Sequence, residues 1–296
     1  MDRISEKKIM EGRVMTATYV EYAFEAGGGT RLFARRWEPD RPDGAVVLIH
    51  GYGDHSGRYQ GVADALNAAG CSVYAYDQRG HGRSPGKRAY IARFDALLED
   101  LDAFLAFHRE RLASIPWFLM GHSMGGMVLA RFLQTRTTGA RGAVFSSPFL
   151  GLNDDVPEWL KKVAPLLGAL LPMVPAGRVD NKGLSRDPEA VRAADEDPLA
   201  YHGYVAARTD AEFIATIRQI QEAYGRITIP FLALHGSADP IVPVSGSREL
   251  YERAASADKT LRIFDGGYHE LWNDLDKNVF FQEVTDWIKQ RIGTGA

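Results

Sequence analysis

A serine flanked by glycines, a histidine in a glycine-rich loop and an aspartate after an apolar run are the residues that carry chemistry in this chain. Gly-x-Ser-x-Gly occurs twice, at Gly82-Arg83-Ser84-Pro85-Gly86 and at Gly121-His122-Ser123-Met124-Gly125. A nucleophile elbow needs a strand before the serine, a helix after it, and an N–H on the next residue to hold the oxyanion. Ser84 fails: a polar run precedes it, and Pro85 has no N–H. Ser123 meets all three conditions. The apolar run Trp117 to Met120 reads as the strand, Met124 to Gln134 as the helix, and Gly121 and Gly125 permit the cramped turn.

A serine hydroxyl becomes a useful nucleophile when an imidazole takes its proton, and in strand-turn-helix enzymes acid and histidine follow the serine in the chain. His202, His235 and His269 lie downstream. His269 follows Gly266-Gly267-Tyr268 just after the last strand-like run and is the expected base, so hydrolysis should fall on acidification as that ring becomes protonated. Asp239, a short turn beyond Leu234, is the expected acid. Asp265 competes, but it would hang from the same strand end as His269. Asp239 can also open an Asx turn ahead of Pro240. The oxyanion hole needs two N–H donors. Met124 supplies one, and Tyr52, in the loop after the strand Ala45 to Ile49, is the candidate for the other.

Other chemistries fit less well. Gly51-x-Gly53-x-x-x-Gly57 has one residue more than a dinucleotide fingerprint, and Tyr52 and Arg58 crowd the turn. His269-Glu270-Leu271-Trp272-Asn273 stops short of a zinc helix motif because Asn273 stands in place of the second histidine. No metal and no cofactor is expected. The 296 residues carry 35 basic and 38 acidic side chains, a net charge of −3, without a basic stripe, so nucleic acid is not an expected partner. The one cysteine, Cys71, excludes an internal disulfide. Met1 to Met15 is too charged for a signal-peptide core, and a cytoplasmic location is expected, peripheral at membranes if the apolar run described below meets lipid.

Strand-like runs at Thr18 to Phe24 and Arg31 to Trp37 flank three glycines and read as an antiparallel hairpin. Six more follow, at Ala45 to Ile49, Ser72 to Tyr76, Trp117 to Met120, Gly142 to Phe145, Ile229 to Leu234 and Leu261 to Phe264. Helical stretches alternate with them at Tyr59 to Ala69, Phe94 to Arg111, Met124 to Gln134, Ser247 to Ala255 and Phe280 to Arg291. This pattern predicts an α/β protein with an eight-stranded, mostly parallel sheet and helices on both faces. Ser147 to Arg226 lacks a strand-like run and is too long for a plain connection. The expected organisation is therefore core at 1–146, an inserted helical cap at 147–226, and core again at 227–296.

Together, His50-Gly51-x-Gly53-x-His55-Ser56-Gly57-Arg58-Tyr59, Gly80-His81-Gly82-x-Ser84, Gly121-His122-Ser123-Met124-Gly125-Gly126 and Gly236-Ser237-Ala238-Asp239 resemble the monoacylglycerol lipases, from about Thr18 to Arg291. The resemblance implies an α/β-hydrolase fold and a serine hydrolase that cleaves one fatty acyl ester from glycerol through an acyl-enzyme. It implies Ser123, Asp239 and His269 as triad and the Tyr52 and Met124 N–H groups as oxyanion hole. Tyr52 departs from the family, which usually has a small residue there, and is expected to narrow the polar end of the site. Lysophospholipases and general carboxylesterases share much of the pattern, and a non-catalytic lipid-binding protein on the same scaffold is the further alternative.

Within the insertion, Val156, Trp159, Leu160, Val163, Leu166, Leu167, Leu170 and Leu171 recur at helical spacing, with Glu158, Lys161 and Lys162 opposite. The run Val163 to Pro175 is too short to span a bilayer, but its apolar character suits an acyl tunnel or transient contact with a membrane or micelle. Trp159, Leu160, Val163, Leu167, Leu170 and Leu171 are thus the expected acyl-chain contacts. At about 0.8 kcal/mol per buried methylene against about 1 kcal/mol per head-group hydrogen bond, chain length would dominate affinity for a lipid ester.

Overall fold

In the central strands every residue is buried, because both faces of the sheet are covered. A computed structural model describes residues 8–10, 13–15, 17–153 and 158–293, with side chains for 17–153 and 163–293. The main sheet has eight strands: β1 (Thr18–Glu25), β2 (Arg31–Glu38), β3 (Gly44–Ile49), β4 (Cys71–Tyr76), β5 (Trp117–His122), β6 (Gly142–Ser146), β7 (Phe231–Gly236) and β8 (Lys259–Phe264). Their spatial order is β1-β2-β4-β3-β5-β6-β7-β8. Only the pairings of β2, with β1 and with β4, are antiparallel. All eight expected strands are present, within two residues of the sequence boundaries.

Alternation along β3 and β5 splits the core into two layers. Val47, Ile49 and Leu119 face α2 (Asp95–Phe107) and α4 (Met124–Thr135), through Leu97, Leu101, Phe104 and Met127. Val46, Leu48, Phe118 and Met120 face α1 (Gln60–Ala68) and α9 (Lys277–Ile292), through Val62, Leu66, Phe280, Val284 and Ile288. Each such side chain contributes about 1.5–3 kcal/mol on burial. α8 (Ser245–Arg253) places Leu250 in the first layer.

Three features differ from the sequence reading. The helix expected over Phe94 to Arg111 breaks at His108 (φ −98°, ψ 9°) into α2 and α3 (Arg109–Ser114). The His108 ring turns inward, with Nε2 2.7 Å from the Tyr22 hydroxyl. Lys8–Met10 and Arg13–Met15 pair as a small antiparallel ribbon that no apolar run announces. The insertion between β6 and β7 contains a second ribbon, Pro175–Gly177 with Val205–Ala206, beside α5 (Glu158–Leu170), α6 (Pro188–Asp195) and α7 (Ala207–Glu222).

Candidate active site

Ser123 occupies the single residue between β5 and α4, at φ 52° and ψ −118°. That conformation is costly for a residue with a side chain and is imposed by its surroundings. A Cβ on Gly121 would lie 2.4 Å from the Gly125 carbonyl oxygen, and one on Gly125 only 2.1 Å from that of Ile49. Ser123 N–H donates to Ser146 O (3.0 Å), and its carbonyl accepts from Met127 N (3.1 Å) and Phe149 N (3.0 Å). Ser84, in the other glycine-flanked motif, is buried and structural: its hydroxyl donates to Asp77 O at 2.5 Å and accepts from Phe33 N at 2.9 Å.

His269 shares a cavity wall with Ser123. Its Nδ1 donates to Asp239 Oδ2 at 2.6 Å, which leaves Nε2 to accept a proton. The other oxygen, Asp239 Oδ1, accepts from Ile241 N (2.9 Å) and Val242 N (3.0 Å), so the same residue also makes the Asx turn. Burial alone would raise the Asp239 carboxyl, but the adjacent His269 and hydrogen bonds from His235 and His269 outweigh it and hold the group far below the usual carboxylate range. Asp265 is exposed and accepts instead from the Ser237 hydroxyl at 3.3 Å. His202 is exposed, and His235 lies fully buried with Nε2 3.2 Å from Asp239 Oδ2.

The loop after β3 approaches the elbow closely, since a Cβ on Gly51 would sit 3.3 Å from Ser123 Cβ. His50 pins this loop: Nδ1 donates to Gly51 O (2.7 Å) and Nε2 accepts from Gln78 N (2.9 Å). Among the described residues neither the Tyr52 N–H nor the Met124 N–H donates to a protein acceptor, and Met124, at the start of α4, has none within its helix. The Tyr52 ring belongs to the wall of the cavity described below. It packs toward the insertion, 5.6 Å from Phe213 and 6.3 Å from Tyr201, with its hydroxyl donating to Ala89 O (2.8 Å). Asp77, the residue a nucleotide ribose would require, is engaged by Ser56 N, Ser56 Oγ and Arg83 N.

The cavity holds about 680 Å³ and lies between the elbow and the insertion. Phe149, Leu152, Leu184, Phe213 and Val242 give it an apolar side, and Asp54, Arg58 and Glu270 a polar one. Val163, Leu167, Leu170 and Leu171 do not line it, contrary to expectation. The face α5 turns inward carries small residues instead: a Cβ on Gly168 would lie 2.7 Å from Ala211 Cβ, and Ala164 is buried. The leucines therefore point outward, with Leu166 60% and Leu170 69% exposed beside Leu167, Leu171, Met173 and Val174. The side chains of Trp159 and Leu160 lie outside the described residues.

Several site residues escaped sequence reasoning. The His122 ring lies tilted 4.6 Å from the His269 ring and edge-on to Trp272, and burial, followed by repulsion from His269, drives its pKa well down. Arg58 grips Glu270 through two bonds (2.7 and 2.8 Å). Asp274 accepts from Tyr268 N (2.9 Å) and, from the insertion, Arg186 N (2.8 Å) and Nε (2.9 Å). The motifs around Ser123 and Arg58-Tyr59 contain His122 and Arg58 but not their partners, whereas Asp210 and Phe213, both on the cavity wall, carry no local signal.

A family model described as serine aminopeptidase, S33, matches residues 40–276. The chain is 38% identical over 281 residues to the monoacylglycerol lipase of Mycolicibacterium smegmatis, covering 94% of this chain and 100% of that protein. It is 34% identical over 272 residues to the monoglyceride lipase of Rattus norvegicus, covering 90% of each. The crystal structure of Paleococcus ferrophilus monoacylglycerol lipase superposes with a TM-score of 0.79 at 35% identity, covering 88% of this chain and 99% of that one. With the sheet order, the elbow and these matches in agreement over most of its length, the chain belongs to the monoacylglycerol lipase family of the α/β-hydrolases.

Proposed function

We propose that this protein is a serine ester hydrolase that cleaves monoacylglycerols to fatty acid and glycerol, with Ser123 as nucleophile, His269 as general base and acid, and Asp239 as its orienting carboxylate. One observation carries the reading: Ser123, raised on a strained kink, lines the same cavity as a histidine whose far nitrogen is held by a buried carboxylate. Ser123 attacks the ester carbonyl as His269 takes its proton, and the tetrahedral oxyanion lies against the Tyr52 and Met124 N–H groups. His269 returns the proton to the departing glycerol oxygen, then activates water to release the acid. The Asp54, Arg58 and Glu270 wall suits the glycerol, the Phe149, Leu152 and Phe213 side the acyl chain. Residues 147–226 serve as the cap over this cavity.

The test is a panel of monoacylglycerols, lysophospholipids and short p-nitrophenyl esters, with fluorophosphonate labelling of the parent and of Ser123→Ala. Monoacylglycerols should be the best substrates, and Ser123→Ala should abolish labelling and lower turnover by roughly 10⁶-fold. Near-normal activity in a folded Ser123→Ala protein overturns the assignment.

Among the described residues no helix is long and apolar enough to cross a membrane. The ridge of Leu166, Leu167, Leu170, Leu171 and Met173 is the surface we assign to transient contact with lipid. Replacing Leu166, Leu170 and Leu171 by serine should weaken co-sedimentation with phospholipid vesicles and spare hydrolysis of a soluble ester. Unchanged vesicle binding would remove the ridge from that role.

A further inference from the structure

The apolar side of the cavity contains one residue out of keeping with it. Two residues of α7, Asp210 and Phe213, line the cavity, and Phe213 is a buried hydrophobic. One turn before it, where a second apolar side chain would extend the wall, stands a carboxylate. Its neighbours on the helix are fully engaged. Thr209 Oγ1 accepts from Ile91 N (2.9 Å), and Glu212 accepts from Phe94 N (2.7 Å) and pairs with Arg208 (2.8 Å). Asp210, half-buried, accepts no hydrogen bond and forms no ion pair among the described residues.

Burial raises its pKa, and no nearby charge offsets the effect. A carboxylate in the first turn of a helix gains from the helix dipole, but a residue retained for that alone would sit in water or cap a backbone N–H. On the cavity wall without a protein donor, its carboxylate is left to whatever fills the cavity. A ligand that displaces water from this wall loses affinity unless it brings a donor of its own. Asp210 lies one turn from Phe213, on the acyl side, whereas the polar wall that suits glycerol is built from Asp54, Arg58 and Glu270.

We propose that Asp210 recognises substrate by accepting a hydrogen bond from a hydroxyl on the acyl chain, so that the favoured esters are those of hydroxylated acids. This rests on the acylglycerol reading above and narrows it. The cap side of the cavity agrees, being lined by Arg178, Asn181, Lys182 and His202 where an alkyl-only tunnel would carry leucines.

The test compares 1-acylglycerols of one chain length, plain or hydroxylated near the carboxyl, at mid-chain or at the end, in the parent protein, Asp210→Leu and Asp210→Asn. At least one hydroxylated ester should exceed the plain one by about tenfold in kcat/KM in the parent, the size expected of a hydrogen bond to a charged acceptor. In Asp210→Leu the ratio should collapse to about twofold or less as the plain ester improves. Asp210→Asn, an isosteric and weaker acceptor, should lower the ratio severalfold and decides the matter if the leucine variant does not fold. Absence of any preference in the parent, or a preference that survives both substitutions, overturns the proposal. If every glycerol ester resists cleavage while p-nitrophenyl esters are cleaved, the glycerol reading fails instead, and the same ratios measured on p-nitrophenyl esters of the same acids still decide the role of Asp210.

Discussion

The two oxygens of Asp239 act on different parts of the site, since Oδ1 closes a turn through two backbone N–H groups and Oδ2 aims the His269 ring. Asp239→Asn should keep the turn, because the amide oxygen still accepts there, but an amide nitrogen facing Nδ1 favours the wrong tautomer. A kcat loss of about 10³–10⁴-fold with little change in KM is expected on a soluble p-nitrophenyl ester. A loss below about tenfold would mean that the imidazole is aimed by something else. That Ser123 and His269 would share a cavity wall, with Asp239 behind the imidazole, was legible because each carries a local signature: two glycines that a kink demands, a loop after the last strand, a turn after its neighbour. Asp210, Glu270 and Phe213 were not. Their positions depend on where a helix or loop docks, and spacing along the chain does not encode that.

Periodicity identified α5 as amphipathic but not which face meets the protein. Amphipathic helices usually bury their large side chains, yet here the inward face is Ala164 and Gly168 against Ala207 and Ala211 of α7, and the leucines are left outside. The eight core strands, by contrast, were legible because continuous β-branched runs between turn residues have few other homes. The close helix pairing gives a test. A Cβ on Gly168 would also meet the Ala207 carbonyl oxygen at 3.0 Å, so Gly168→Leu must push α5 from α7. Limited proteolysis should then cut within the insertion markedly faster, while the unfolding temperature of the sheet core stays within a few degrees. Cleavage at the parent rate would show that the pair tolerates the bulk.

Taken as one folding unit, the molecule buries several histidines as neutral rings. Burial lowers His108 from 6.5 to about 4, helped by Arg111 and Arg36. It lowers His81 to about 3, with repulsion from His50 adding to it. His50 and His122 shift the same way. The unfolded chain therefore binds more protons than the folded one as pH falls below about 6.5, so stability is full above that value and is lost on acidification until the folded pKa values are reached, at up to about 1.4 kcal/mol per pH unit per site. Carboxylates held low, such as Asp239 and Asp274, stay ionised in both states above about pH 5 and do not cancel the trend. The melting temperature should drop between pH 7 and pH 5, less steeply in His108→Gln. A melting temperature that is flat over that window would contradict the burial argument.

Asp274 has a consequence beyond stability. The backbone N–H of Tyr268, next to the imidazole, and the guanidinium of Arg186, in the insertion, end on the same carboxylate. Insertion and imidazole loop thus hang from one peg, so that a shift of either at that corner pulls on the other.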